Sequence, residues 1–303
     1  MALDYRRFKA QDGAEIYYAE QGTGTPLVYV PGYLDTVETS QSLMARWSER
    51  FRCVMFDHRG FGQTPAAPVA GVEQSARDLH DLLEFLDLRD VFFVGYSMGG
   101  SVAFSYFEQF GSDRIGRLAL VDTTPKLINE GDWNLGLWQG RYTRDNFEFD
   151  LRQVRENSPL FHMTFYLHAA TLSNPDDDLI FPPADDAEAW LAAIVEKTGL
   201  RDRLLRRVFF KETTDEELRQ EQAYWDSMTG GDFLRVPPTI DVPTLCLYAS
   251  PGSFYSPRTG AWLKSQIPNA RLDTIEASSH LCAKDQFETF VGKIAEFAGE
   301  AAT

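Results

Sequence analysis

The hexapeptide Gly95-Tyr96-Ser97-Met98-Gly99-Gly100 constrains this chain more than any other stretch. It follows the apolar run Val91-Phe92-Phe93-Val94 and precedes a helix-like stretch from Ser101 to Phe110. Passing so abruptly from strand to helix forces strained backbone angles, and Gly95 and Gly99 remove the side chains that would clash there. Ser97 Oγ is then pushed above the sheet, where it reads as a nucleophile. The same turn aims the first N–H groups of the new helix, notably that of Met98, at the point where an oxyanion would form. An isolated G-x-S-x-G also fits an ordinary glycine-rich turn. The strand before it and the amphipathic stretch after it are the context that the chemistry requires.

Around this turn the chain alternates between strand-like and helix-like stretches. Tyr5 to Lys9 and Ala14 to Glu20 read as a hairpin at the sheet edge, with Asp12-Gly13 as its turn. Leu27-Val28-Tyr29-Val30 and Arg52-Cys53-Val54-Met55-Phe56 are short apolar runs of the kind buried on both faces, separated by a helix-like Thr39 to Ser48. Val72 to Leu86 has apolar residues at helical spacing, and Arg117 to Val121 is a strand ending at Asp122-Thr123-Thr124-Pro125. From Asp241 the alternation resumes: strand Thr244 to Tyr248, helix Pro257 to Gln266, strand Arg271 to Ile275, then His280 and a helix from Gln286 to Phe297. Such alternation predicts a parallel sheet covered by helices on both faces, with ligands at the carboxyl ends of the strands. Gly32, Ser97, Asp122 and His280 all fall at such ends.

Between Lys126 and Pro237 the alternation stops, and aromatic residues mix with charged, helix-like stretches such as Ala187 to Lys197 and Asp215 to Tyr224. This segment, 126–237, reads as a helical cap inserted after the sixth strand of a core formed by 1–125 and 238–303. Most of its aromatics form the cap's own core, and a few face the Ser97 cleft and make it apolar. Gly32, Tyr96, Trp133 and Trp138 are expected against the substrate.

Composition narrows the function classes. At 303 residues and 44% hydrophobic composition the chain can bury a large core. A formal net charge of -16 excludes the basic footprint that nucleic acid or an anionic membrane surface needs. The expected partner is a small-molecule substrate, and homo-oligomerisation stays open. No apolar run approaches the roughly 20 residues that span a bilayer, and Asp4-Tyr5-Arg6-Arg7 leads into no signal-peptide core, so a cytoplasmic location is expected. Cys53, Cys246 and Cys282 lack the spacing of a zinc site and read as buried free thiols. Neither a metal nor a cofactor is expected.

Taken together, Pro31-Gly32-Tyr33, the Asp57-His58-Arg59-Gly60-Phe61-Gly62 turn, the Gly95 to Gly100 elbow and Ser279-His280-Leu281 resemble the α/β-hydrolase superfamily over nearly all of the chain outside the cap. The resemblance implies an α/β-hydrolase fold, a mostly parallel sheet of about eight strands with an inserted helical cap. It also implies Ser97 as nucleophile, His280 as general base, and the N–H groups of Tyr33 and Met98 as the oxyanion hole. A serine at the elbow argues against the epoxide hydrolase and haloalkane dehalogenase branches, which carry aspartate there. His58, the main competitor of His280, fits a structural role inside its turn.

One part of the family pattern is missing. Most relatives carry the triad acid after the seventh strand, where this chain has the carboxylate-free Ala249-Ser250-Pro251-Gly252-Ser253-Phe254-Tyr255-Ser256. A histidine base needs a partner on Nδ1 to fix its tautomer and stabilise the imidazolium. Asp122, at the carboxyl end of the strand after the nucleophile's strand–helix unit, is the leading candidate, as in some branches of the superfamily. The alternatives are that Asp122 only caps its own turn, or that Glu276 is the acid; Asp285 is expected to start the last helix.

The expected function is a serine hydrolase that cleaves an ester or lactone of a bulky, largely apolar small molecule through Ser97, His280 and Asp122. The Ser-Pro-Gly-Ser loop and Pro-Gly-aromatic turn also resemble cofactor-independent dioxygenases of N-heteroaromatic compounds, in which a His–Asp pair deprotonates a hydroxylated ring and dioxygen attacks the carbanion. Their elbow often reads Ser-His-Gly-Gly, and this chain has Met98 in place of that histidine. A hydrolase-fold binding protein without catalysis is the third reading.

Overall fold

Short runs rich in Val, Phe and Tyr cannot satisfy their backbone groups alone, and here they pair into one eight-stranded sheet. The computed structural model describes residues 3–170, 213–252 and 254–299, with positions 189, 192 and 195. The strands are β1 (Tyr5–Lys9), β2 (Glu15–Gln21), β3 (Pro26–Val30), β4 (Arg52–Phe56), β5 (Val91–Tyr96), β6 (Ile115–Val121), β7 (Thr244–Pro251) and β8 (Ala270–Ser278). Their order is β1-β2-β4-β3-β5-β6-β7-β8. Strands β3 to β8 run parallel, and β2 pairs antiparallel with both β1 and β4. Only β1 of the expected hairpin lies at the edge. β2 lies one strand in, because Ile16 and Tyr18 supply an apolar inner face and both of its backbone edges find partners.

Every residue of β5 is buried, as expected of a central strand with helices on both sides. On one face α1 (Gln41–Trp47) and the C-terminal helix (Phe287–Gly299) place Leu43, Trp47, Phe290 and Ile294 against Tyr29, Phe92 and Val94. On the other, α2 (Val72–Phe85) and α3 (Met98–Phe110) place Leu79, Leu83, Val102 and Phe104 against Val28, Phe93 and Leu118.

Helix α3 starts at Met98, earlier than the expected Ser101. The glycines that suggest a loop in the sequence are the helix's first turn, and they are there for closeness. A Cβ on Gly99 would lie 2.0 Å from the Val30 carbonyl oxygen, and one on Gly95 would lie 2.5 Å from that of Gly99. The strain falls on Ser97 instead, at φ 54° and ψ -115°.

Between β6 and β7 the described residues form helices at Arg144–Glu156, Ser158–Ala170 and Asp215–Gly230. Thr143 and Thr214 start two of these with capping boxes, closed by Asn146 and Glu217. The expected helix from Ala187 to Lys197 falls almost wholly outside the described residues, as do Trp190, Phe209, Phe210 and Ser253. Asp285 does not start the last helix. It ends a separate turn, Cys282–Asp285, and accepts from the Ser279 backbone N–H at 2.9 Å and Oγ at 2.5 Å. The three cysteines are buried and free, and no helix among the described residues is long and apolar enough to cross a membrane.

Candidate active site

Three strand ends bring the chemistry together. Ser97 directly follows β5, Asp122 directly follows β6, and His280 comes two residues after β8. His280 Nε2 lies 2.9 Å from Ser97 Oγ, and Nδ1 lies 2.5 Å from Asp122 Oδ2. With the proton on Nδ1 held toward the carboxylate, Nε2 is left to accept from the Ser97 hydroxyl. All three side chains are buried.

Asp122 is fixed from several sides. Its N–H donates to the Leu247 carbonyl at 2.9 Å, and its Oδ1 accepts from Ala249 N–H at 3.3 Å. Its φ of 42° places it, like Ser97, in a region that non-glycine residues rarely occupy. Its carboxylate therefore reaches across to β7 and His280 and does not cap its own turn. Glu276 lies within β8, where its carboxylate accepts from Ser250 and Thr274 hydroxyls at 2.9 Å each. The β7 loop leaves no easy place for an acid at Gly252: φ is 82°, and a Cβ would meet the Tyr255 carbonyl oxygen at 2.9 Å. Aromatic rings take up that side of His280 instead. Phe254 lies 4.4 Å from the imidazole, centroid to centroid, with Tyr96 at 5.6 Å and Tyr255 at 5.9 Å. The Tyr96 hydroxyl also donates to the His280 carbonyl.

Gly32 packs directly on the nucleophile, since a Cβ there would sit 3.3 Å from Ser97 Cβ. The N–H groups of Tyr33 and Met98 donate to no acceptor among the described residues. Two unused donors therefore flank Ser97, one from the loop after β3 and one from the start of α3. His58 is engaged elsewhere: its Nδ1 lies 2.8 Å from Ser75 Oγ, and burial pushes its pKa down to about 4. Asp57, beside it, accepts from Val37 and Gln63 N–H at 2.7 and 2.9 Å, tying this turn to the Pro31-Gly32-Tyr33 loop's continuation.

A family model for the alpha/beta hydrolase fold matches residues 25–282. The chain belongs to the α/β-hydrolase family. The non-heme chloroperoxidase CPO-A1 of Kitasatospora aureofaciens is 35% identical to this α/β-hydrolase over 126 residues, 41% of this chain and 46% of that protein. Among solved structures, an esterase from Exiguobacterium antarcticum superposes with a TM-score of 0.76 at 19% identity, over 97% of this chain and 99% of that one. The enol-lactonase from Burkholderia xenovorans LB400 gives 0.72 at 20% identity, over 97% and 100%. At these identities the two structures show a shared fold.

Adjoining the site of this α/β-hydrolase at Tyr33 and Leu281 is a cleft of about 540 Å³, walled also by Phe61 and Phe165 and carrying Asp35 and Lys284; Ser97 and His280 do not line it. Tyr33 joins the two layers. Its ring packs within 5.4 Å of Trp225 and 5.7 Å of Phe165, centroid to centroid, and its hydroxyl donates to the Glu221 carbonyl at 3.0 Å. The structure does not bring Trp133 and Trp138 to this cleft. Trp133 packs on Trp262 at 5.0 Å and donates to the Lys126 carbonyl. Trp138 is buried in a small cavity with Asp150, Phe161 and Trp225. Tyr96 lies beneath His280, as a support for it. Asp35, Phe254 and Tyr255 are the neighbours of the site that motif reading passes over.

Asp150 is buried among those aromatics, accepts from the Tyr142 hydroxyl at 2.7 Å, and has its pKa pushed up to about 7 by burial. An unfolded aspartate loses its proton near pH 4, whereas the folded protein holds this one until about pH 7, so folding stability falls as pH rises through that window. Asp150→Asn keeps an acceptor for Tyr142 and never ionises. Its stability relative to wild type should rise from about pH 4 to pH 7, by up to roughly 4 kcal/mol. Thermal melts across that range check this; a difference independent of pH would contradict it.

Proposed function

We propose that this α/β-hydrolase cleaves a carboxylic ester or lactone of a bulky, largely apolar small molecule. The observation that carries the reading is the continuous chain Ser97 Oγ, His280, Asp122 beside two unused backbone donors. Ser97 Oγ attacks the carbonyl carbon while His280 Nε2 takes its proton, and Asp122 holds the resulting imidazolium. The Tyr33 and Met98 N–H groups receive the oxyanion; one such donor is worth about 10² to 10³ in rate. The acyl–oxygen bond breaks as Nε2 returns the proton to the leaving alkoxide. Water then enters by the same route, its proton passing to Nε2 and its oxygen to the acyl carbon, and Ser97 is released.

In this reading segment 126–237 serves as a cap, and its residues Phe165 and Trp225, packed on Tyr33, favour an apolar group over a small acetate ester. The test is labelling with a fluorophosphonate under native conditions, alongside turnover of a panel of aryl esters and lactones. Covalent modification mapped to Ser97 is expected. An unmodified Ser97 and an unhydrolysed panel would sink the reading.

A further inference from the structure

Asp35 follows closely on Tyr33 in the loop after β3, in a turn closed by its N–H to the Gly32 carbonyl at 3.2 Å. Its Oδ1 accepts from Thr39 Oγ1 at 3.1 Å, and its Oδ2 accepts nothing among the described residues. That oxygen points at the chemistry. A Cβ built on Gly32 would lie 3.7 Å from Asp35 Oδ2 and 3.3 Å from Ser97 Cβ, so carboxylate and nucleophile flank one small space. Asp35 also lines the cleft that reaches the site at Tyr33 and Leu281.

A bare carboxylate in that place opposes the hydrolysis proposed above, because it repels the oxyanion forming nearby. Among the described residues no cation forms an ion pair with it. Lys284 faces the same cleft but forms no ion pair within 4 Å, with Asp35 or with any other described acid. The other cleft acids have work of their own: Glu221 holds His162 at 2.9 Å, and Glu217 closes the Thr214 cap. Burial pushes the Asp35 pKa up, while Lys284, Thr39 and His280 pull it down. The cleft thus holds an acceptor with one oxygen uncommitted, a short reach from the carbonyl that Ser97 would attack.

We infer that Asp35 is a specificity-determining residue that takes a hydrogen-bond donor, hydroxyl or protonated amine, on the substrate carbon next to the scissile carbonyl. The inference rests on the ester-hydrolase reading and deepens it. Such a donor would satisfy Oδ2 and offset its charge as the oxyanion develops, so the gain falls on the transition state more than on binding. An ester lacking the donor would meet the carboxylate as repulsion alone.

The benzyl esters of isobutyrate, lactate and alanine test this, since they place a methyl, a hydroxyl and an ammonium group at the same position. Benzyl alcohol release is followed at about pH 6.5, where the alanine ester is protonated. Wild type should prefer lactate or alanine over isobutyrate, and the preferred ester identifies which donor is read. Asp35→Asn should lower kcat/KM for that ester about tenfold or more and leave the isobutyrate ester unchanged or faster. Fluorophosphonate labelling of Ser97 in the variant verifies that its site is assembled. Labelling without a donor preference, or an equal loss on all three esters, overturns the inference alone. Absence of labelling in wild type overturns the hydrolase reading and the inference with it.

Discussion

Ser97→Ala is expected to lower turnover of any ester the enzyme accepts by about 10⁶-fold and to abolish fluorophosphonate labelling. The magnitude follows from the role: without Oγ there is no covalent intermediate, and His280 has no hydroxyl at 2.9 Å to deprotonate. What remains is catalysis by the oxyanion donors and by binding. Steady-state kinetics of purified variant and wild type measure it. The same variant separates hydrolysis from cofactor-free oxygenation. An oxygenase working through His280 and Asp122 alone would lose activity only moderately in Ser97→Ala, with oxygen uptake persisting on hydroxylated heteroaromatics. His280→Ala would silence either chemistry.

Asp122→Asn should cost about 10⁴ in kcat with little change in KM. The substitution is nearly isosteric, so the fold should survive it. An amide facing Nδ1 donates where the carboxylate accepts, which favours the tautomer with its proton on Nε2, pointing at Ser97. The base is then protonated before the reaction begins, and the imidazolium loses its counter-charge. Glu276→Gln is the control, since Glu276 is engaged by Ser250 and Thr274 and should leave kcat unchanged. If Glu276→Gln lost the activity and Asp122→Asn kept it, the assignment of the acid would fall.

The legible parts of this chain were those with local causes. Apolar runs bounded by Gly and Pro marked the parallel strands, and helix Pro257–Gln266 has the bounds that its pattern suggests. That Asp122 would come to lie beside His280 was legible because strand ends of a parallel sheet share one side. What sequence reading missed depends on how loops fold back. Nothing local in Phe254 says that it will face the imidazole at 4.4 Å, and nothing in Asp35 says which oxygen stays uncommitted. Trp133 and Trp138 show the same limit: composition marks an aromatic layer but not which rings face the cleft. The glycines at 99 and 100 misplaced the start of α3 because a close approach of backbones and a turn ask for the same residue.

Tyr33 belongs to two machines at once. Its backbone sits in the loop that would receive the oxyanion, while its hydroxyl is held by the Glu221 carbonyl on helix Asp215–Gly230. A swing of that helix away from the sheet would break this bond and pull on the residue whose N–H would serve the proposed hydrolysis. One side chain thus ties the packing of this helix to the placement of the backbone N–H that the proposed hydrolysis would use.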